Sequence, residues 1–251
     1  MPLGDVLSYN SENPISRTYY KLFRILGLHS HIRLQVVKKY IDKSKDRNAD
    51  IGYGWGLIAF EFVKETSKPI DCVDIDPKLI KFGKKPTEKA GIDKIRFIVN
   101  SLLSPSKLPW NYYDQILLID VLEHVNEDLE SLLTINSLLR MNSILIISTT
   151  PNYLKYFGRD FARIINHVRD GYTIEDMREL LNRSSFEIVE WSYRTNFLSP
   201  YLCKLWYKYS LPIKMKAVMF PFLEFLWFFD FVGKGINSYG IALKARKVKQ
   251  I

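Results

Sequence analysis

Three glycines at alternate positions, in Ala49-Asp50-Ile51-Gly52-Tyr53-Gly54-Trp55-Gly56, constrain this chain more than any other feature. They follow a short apolar stretch, so a strand is predicted to end here in a turn with little side-chain obstruction. A ligand can lie against such a backbone, and the helix predicted to follow presents free amides to it. Eighteen residues after Gly56, Asp74 closes a second apolar run, Ile70–Asp74. An acid at the tip of the strand beside a glycine turn is placed to accept both hydroxyls of a ribose. Together these features imply a cofactor that carries adenosine.

The apolar pattern then repeats in a regular rhythm. Strands are predicted at Asn48–Ile51, Ile70–Asp74, Ile95–Val99, Gln115–Ile119, Ile144–Ser148 and Phe186–Trp191, with a last one at Tyr239–Ala245. Helices are predicted at Leu57–Lys64, from Pro77, and at Leu129–Leu139, where apolar residues keep steps of three and four. Pro77 suits a helix start because its missing N–H costs nothing there. Another helix begins at Thr173, with Asp176 three residues on as a capping box. Asp76 is read as a helix cap and Asp114 as a turn pin. Alternating strands and helices imply parallel pairing and a doubly wound α/β sheet. Ahead of it, Ile15–Tyr40 has helical spacing broken at Gly27. The expected organisation is an N-terminal helical cap (1–45), a nucleotide-binding α/β core (46–195), a hydrophobic helical insertion (196–235), and a final strand with a basic tail (236–251).

At 251 residues and 47% apolar content, the chain has ample material for such a core. Cys72 and Cys203 are far apart, with no CxxC or Cys/His spacing, so neither a metal site nor a disulfide framework is expected. No small-residue cleavage site follows the scattered first apolar residues, so no leader is expected. A reducing cytoplasmic setting suits both observations. The net charge of +9 gathers in the first fifty residues and in Lys244, Arg246, Lys247 and Lys249. It fits a solvated surface, attraction to anionic lipid headgroups at the inner membrane face, or a phosphorylated substrate; nucleic acid ranks last.

Three further motifs follow the glycine turn in fixed order. Tyr113-Asp114-Gln115-Ile116-Leu117-Leu118-Ile119-Asp120-Val121-Leu122-Glu123-His124-Val125 is an apolar strand ending in an acidic, leucine-rich turn. Ile144-Leu145-Ile146-Ile147-Ser148-Thr149-Thr150-Pro151-Asn152 is a strand and its exit. His167-Val168-Arg169-Asp170-Gly171-Tyr172-Thr173 precedes a helix and Ser185-Phe186-Glu187-Ile188-Val189. The series resembles the class I S-adenosylmethionine-dependent methyltransferases, especially the small-molecule and lipid-substrate branch with an LEHV-type turn. The likeness runs from about residue 30 to 195, with a closing strand near 240.

That resemblance implies a seven-stranded, three-layer sheet with one antiparallel strand at its edge. It implies S-adenosylmethionine as cofactor, with Asp50, Gly52, Gly54 and Gly56 holding the methionine part and Asp74 the ribose. Ile75 follows the ribose acid. Ser101 stands where many relatives have an Asp near the adenine amine, which leaves adenine to the backbone of Ser101 and Leu102. Asp120 and Val121, with Leu122, would close the pocket beside the transferable methyl. Tyr53 replaces a frequent Cys, and its ring either flanks the methionine chain or packs.

In such chemistry the cofactor supplies the activated methyl and the protein supplies alignment, with a base only where the acceptor must lose a proton. His124 and His167 are the candidate bases, each with a bracing role as its alternative; His29 and His31 read as surface or cap residues. Arg169 fits an anionic headgroup or a salt bridge. Residues 196–235 carry Phe197, Tyr201, Trp206, Tyr207 and Tyr209, then a stretch from Ala217 to Val232 that is apolar nearly all round. Pro221, Glu224 and Asp230 interrupt it, so it is not a membrane span. It is a packed cover, the lining of a hydrophobic substrate pocket, or an interfacial element aided by Lys204, Lys208, Lys214 and Lys216. The expected activity is methyl transfer to a hydroxyl or carbon of a small, hydrophobic or lipid-linked acceptor: a quinone precursor, a lipid or a lipid-linked sugar. A nicotinamide-dependent oxidoreductase and a non-catalytic cofactor-binding module docked at a membrane are the rivals. Gly52-x-Gly54-x-Gly56 lacks the two-residue gap that dinucleotide turns prefer.

Overall fold

Alternating β and α segments build one mixed sheet in the computed structural model. It describes residues 28–89, 91–150, 167–169, 171–195 and 239–250, and single positions 14, 215, 218, 219, 222, 223, 225 and 226. The N-terminal arm, the segment after Thr150-Pro151-Asn152 and most of 196–235 lie outside the described residues. The elements are α1 (Leu28–Val37), β1 (Asn48–Ile51), α2 (Leu57–Thr66), β2 (Ile70–Asp74), α3 (Pro77–Lys89), β3 (Ile95–Val99) and β4 (Tyr113–Ile119). A 3-10 turn at Leu122–His124 precedes α4 (Asp128–Leu138), β5 (Leu139–Thr149), α5 (Ile174–Arg183), β6 (Phe186–Thr195) and β7 (Tyr239–Lys247).

The strand order is β3-β2-β1-β4-β5-β7-β6. β1 pairs in parallel with β2 and β4, β2 with β3, and β4 with β5. β7 runs antiparallel to both β5 and β6. The antiparallel strand is therefore second from the edge, and β6 forms the edge itself. Strands covered on both faces need apolar residues throughout, and β1 and β2 are buried at every position. Alternate residues feed two cores. Cys72, Leu117, Ile119 and Ile146 join α1 and α2 on one face, whereas Val73, Ile116, Leu118 and Ile147 join α4 and α5 on the other.

Several boundaries differ from the sequence reading for local reasons. β5 begins five residues before Ile144, because Tyr113 pairs with Leu139 before the register shifts. Arg140, Met141 and Asn142 are exposed there, so no apolar run marks the extension. β6 runs on to Thr195, with a register irregularity between Ile188 and Glu190 that breaks its alternation. The Thr173–Asp176 capping box is present, with both reciprocal bonds made. Asp76 Oδ1 accepts from Lys78 N–H (2.8 Å) at the start of α3, the capping role read for it. Asp114 pairs with Arg47 and Arg140. At the far end of β7, buried Lys247 donates to the carbonyls of Asn136 (2.6 Å) and Leu139 (2.7 Å), joining that strand to α4 and β5.

Candidate functional site

The carboxyl ends of β1, β2 and β4 enclose a cavity of about 540 Å³. Its walls include Gly52 and Gly54, Asp74 and Ile75, Asn100 to Leu103, Asp120 and Val121, and His124. Open parallel sheets leave such a crevice where strand order reverses, here between β1 and β4. Gly52 and Tyr53 both donate their N–H to the carbonyl of Val73, so the turn is tied to the tip of β2. Gly52 takes φ +76°, and a Cβ there would meet Val121 Cγ2 at 2.3 Å. The two strand ends can approach this closely only because position 52 has no side chain.

Asp74 is held by the same turn. Its Oδ2 accepts from Gly54 N–H and its Oδ1 from Asp76 N–H, at 2.8 and 2.9 Å. Each carboxylate oxygen keeps a further lone pair, so the side chain is aimed yet still able to accept two hydroxyls. Asn100 braces the opposite wall: its amide donates to the carbonyls of Ser101 and Ser104, and its oxygen accepts from Lys107 N–H.

A second cavity, about 130 Å³, shares Gly52, Gly54 and Asp120 with the first and adds Arg33, Asp50 and Tyr53. Asp50 is buried, and loss of hydration pushes its carboxyl up to about 7; Arg33 opposes the rise and Asp74 reinforces it. An acid poised there can hold a cation without a permanent buried charge. Tyr53 packs into the core while bordering the smaller cavity. It is 4% exposed, meets Phe60 and Phe97 edge-on, and its hydroxyl has no hydrogen-bond partner among the described residues. A Cβ at Gly56 would strike that hydroxyl at 2.3 Å. Gly56 thus makes room for the tyrosine ring and is not a cavity wall.

Behind the turn, Asp120 sits at φ +54° with its N–H bonded to Ser148 O. Arg33 Nη1 donates to its Oδ2 (3.1 Å) and Arg194 Nη1 to its Oδ1 (2.6 Å). Arg194 comes from β6 and is fully buried; Gly240 of β7, at φ +77°, leaves the space that its side chain fills. Glu123 is also buried. It accepts from the Thr150 N–H and hydroxyl and from the Thr149 hydroxyl, while burial and then Asp120 push its carboxyl up to about 7.

Of the two candidate bases, His124 lines the large cavity and His167 does not. Their rings meet edge-on at 4.6 Å. Desolvation and then the nearby His124 hold His167 down to about 4, so it is neutral at physiological pH. Arg169 forms an ion pair with Asp128 and donates to the carbonyls of Val125 and Asn126 (2.8 and 2.9 Å), which makes it a clamp on the loop after His124. Among the described residues no group of acids, cysteines and histidines could hold a metal ion.

The structure thus gathers Gly52, Gly54, Asp74, Ile75, Ser101, Leu102, Asp120, Val121 and His124 around one cavity, with Asp50 and Tyr53 beside it. The side chains of His29 and His31 lie outside the described residues. Arg33, Arg194, Glu123 and Asn100 were not singled out by sequence. Arg33 left a local signal as a cation within a predicted helix, and Glu123 stood in the quoted acidic turn without a role assigned to it.

Residues 49–147 match the family model described as a methyltransferase domain. No curated protein matches the sequence. Among solved structures, a sarcosine dimethylglycine methyltransferase from Galdieria sulphuraria superposes with TM-score 0.59 at 18% identity, over 89% of this chain and 85% of that one. Geranyl diphosphate C-methyltransferase from Streptomyces coelicolor gives 0.67 at 11% identity, over 99% and 91%. Phosphoethanolamine N-methyltransferase 2 from Haemonchus contortus gives 0.67 at 15% identity, over 99% of this chain and 60% of that one. At such identities the likeness establishes the fold.

Proposed function

We propose that residues 49–147, which match a methyltransferase domain, hold S-adenosylmethionine, and that the protein methylates a hydroxyl or carbon of a small, hydrophobic or lipid-linked acceptor. The class of acceptor envisaged is a quinone precursor, a lipid or a lipid-linked sugar. One observation carries the reading: Asp74 and the glycine turn are hydrogen-bonded to each other on the wall of a nucleoside-sized cavity.

The residues present fit this cofactor. Gly52 keeps the floor open, Asp74 offers two free lone pairs to the ribose, and Ile75 with Leu102 and Leu103 supplies apolar walls for adenine. The backbone of Ser101 and Leu102 remains the adenine contact. In the smaller cavity Asp50 suits an ammonium and Arg33 a carboxylate, the two charged ends of an amino acid. When bound, the sulfonium supplies an already activated methyl. The protein's part is to align and to exclude water, and orientation alone can contribute about 7–11 kcal/mol. Asp120, which lines both cavities, and Val121 beside it on the wall of the larger one mark where the acceptor approaches. For a hydroxyl acceptor, His124 takes the proton, and neutral His167 against its ring edge fixes its orientation.

The test is transfer of tritium from methyl-labelled S-adenosylmethionine into lipid and quinone extracts, paired with calorimetric titration of the cofactor. Label is expected in the organic phase, and Asp74→Ala is expected to abolish cofactor binding with its circular dichroism unchanged. Undiminished binding by Asp74→Ala, or binding of NADH in place of the methyl donor, overturns the assignment. Cofactor binding with no transfer to any extract points to a non-catalytic module.

A further inference from the structure

The outward face of α3 carries charge of almost one sign. The helix holds five lysines and a single acid, Glu88. Ile80, Gly83, Pro86 and Thr87 turn into the core, while Lys78, Lys81 and Lys85 are exposed. Steps of three and four place those three on one side of the helix, spread over about 10 Å of its length. A solvated helix face ordinarily mixes both signs, as α5 does with Glu175, Asp176, Arg178, Glu179 and Arg183. Other exposed cations of this protein have acids beside them: Lys43 pairs with Glu65, Lys64 with Glu61 and Arg140 with Asp114. Even Lys84 of α3 pairs with Glu88, at 3.7 Å. Among the described residues no acid pairs with Lys78, Lys81 or Lys85.

Trp55 stands beside this row. Its ring meets Phe82 of α3 edge-on at 4.8 Å, and it is 51% exposed although it borders the smaller cavity. Leu79, next to Lys78 in the same helix, lines the larger cavity. A cationic row, an exposed tryptophan and the mouth of the site therefore adjoin.

We propose that α3 docks the protein peripherally on an anionic lipid bilayer, with Lys78, Lys81 and Lys85 against the phosphates and Trp55 at headgroup level. Lysine clusters on an amphipathic helix favour such surfaces, and tryptophan favours the membrane–water boundary because its ring is apolar with one polar tip. Two other anionic occupants fit less well. Protein interfaces are depleted of lysine. Nucleic acid is read by arginine and amide side chains or gripped along a groove, whereas the exposed polar side chains of α3 are lysines and one glutamate on a convex face. The inference stands whether or not the acceptor is itself a lipid.

Cosedimentation of the full chain with vesicles tests it. The chain is expected to pellet with equimolar phosphatidylcholine and phosphatidylglycerol, about 100-fold less with phosphatidylcholine alone and about tenfold less at high salt. Each lysine near an anionic surface raises partitioning roughly fivefold, so Lys78→Gln with Lys81→Gln and Lys85→Gln is expected to lower it about 100-fold. Arg178→Gln with Arg246→Gln and Lys249→Gln removes the same charge from exposed positions outside α3. That control is expected to lower partitioning by no more than about threefold, because distant charges are screened. Cofactor titration and circular dichroism, unchanged in both triple variants, serve as folding controls. Failure of the unaltered chain to pellet with the anionic vesicles overturns the proposal, as does a lysine variant that loses no more than the control. Retention of duplex RNA in place of vesicles, lost in the lysine variant, assigns the row to nucleic acid and overturns it as well. Vesicle binding through α3 by a chain that transfers no methyl upholds this inference and counts only against the acceptor chemistry.

Discussion

Gly52→Ala adds one methyl where β1 meets the turn after β4. Its Cβ would stand 2.3 Å from Val121 Cγ2 and 3.4 Å from Val121 Cβ and Cγ1. Carbon atoms settle at about 3.5–4.0 Å, so Val121 must retreat by more than an ångström, and its β-branched side chain has few rotamers to retreat into. Overpacking of this kind costs about 1–3 kcal/mol. The φ of +76° adds a separate cost of about 1–2 kcal/mol for any side chain. A total of about 2–5 kcal/mol is expected in urea unfolding, read as a lower midpoint at constant slope. Val121 also walls the large cavity, so cofactor affinity by calorimetry is expected to fall at least about tenfold, or ~1.4 kcal/mol. The two costs separate in a double-mutant cycle. Val121→Ala removes the obstructing methyl, so Gly52→Ala with Val121→Ala should regain the overpacking part and keep only the backbone part. A double variant as unstable as the sum of the singles refutes the reasoning, because the methyl then meets something other than Val121.

Two further outcomes follow from the buried charges. Glu123 has its carboxyl raised from an ordinary 4.5 to about 7, so the native state holds a proton that the unfolded chain gives up. Its contribution to stability is complete below about 4.5 and is lost as pH rises towards 7. Asp50 acts in the same direction, whereas His167, lowered from 6.5 to about 4, loses stability as pH falls through that window. Glu123→Gln keeps the two bonds accepted from Thr150, reverses the one to Thr149 so that its hydroxyl accepts from the amide, and removes the titration. Its stability relative to the unaltered chain should therefore rise by up to ~3 kcal/mol between pH 5 and 8, measured by urea unfolding at each pH; a flat difference contradicts the assignment. Gly240→Ala would place a Cβ 2.6 Å from Arg194 Cδ and impose a side chain at φ +77°. About 2–5 kcal/mol of destabilisation is expected, and an unchanged thermal midpoint would contradict it.

Short-range chemistry explains what the sequence made legible. The glycine turn, Asp74, the Pro77 helix start and the Thr173–Asp176 box each depend on residues within a few positions, so their patterns survive without tertiary context. The parallel strands were readable because burial on both faces demands continuous apolar runs. Arg194 gave no such sign. Its burial requires the missing side chain of Gly240 and the carboxylate of Asp120, which lies 74 positions away. Glu123 reads as an ordinary turn acid until Thr149 and Thr150 of another strand close over it. Gly56 stood in the ligand turn and was read as a cofactor contact, and Tyr53 as either flanking the methionine chain or packing. Phe60, Phe97 and Gly83 draw the ring into the core, where it also borders the smaller cavity.

The wedging of β7 between β5 and β6 has a consequence during synthesis. Among the described residues β6 pairs in the sheet only with β7, which lies beyond the long intervening segment 196–238. As the chain leaves the ribosome, the five parallel strands can assemble while β6 waits as an orphan and β5 presents a bare flank. A bare flank of that kind invites pairing with a neighbouring nascent chain. Chaperone engagement in this interval, and collapse of any product that terminates ahead of Tyr239, are the biological cost of a sheet closed out of chain order.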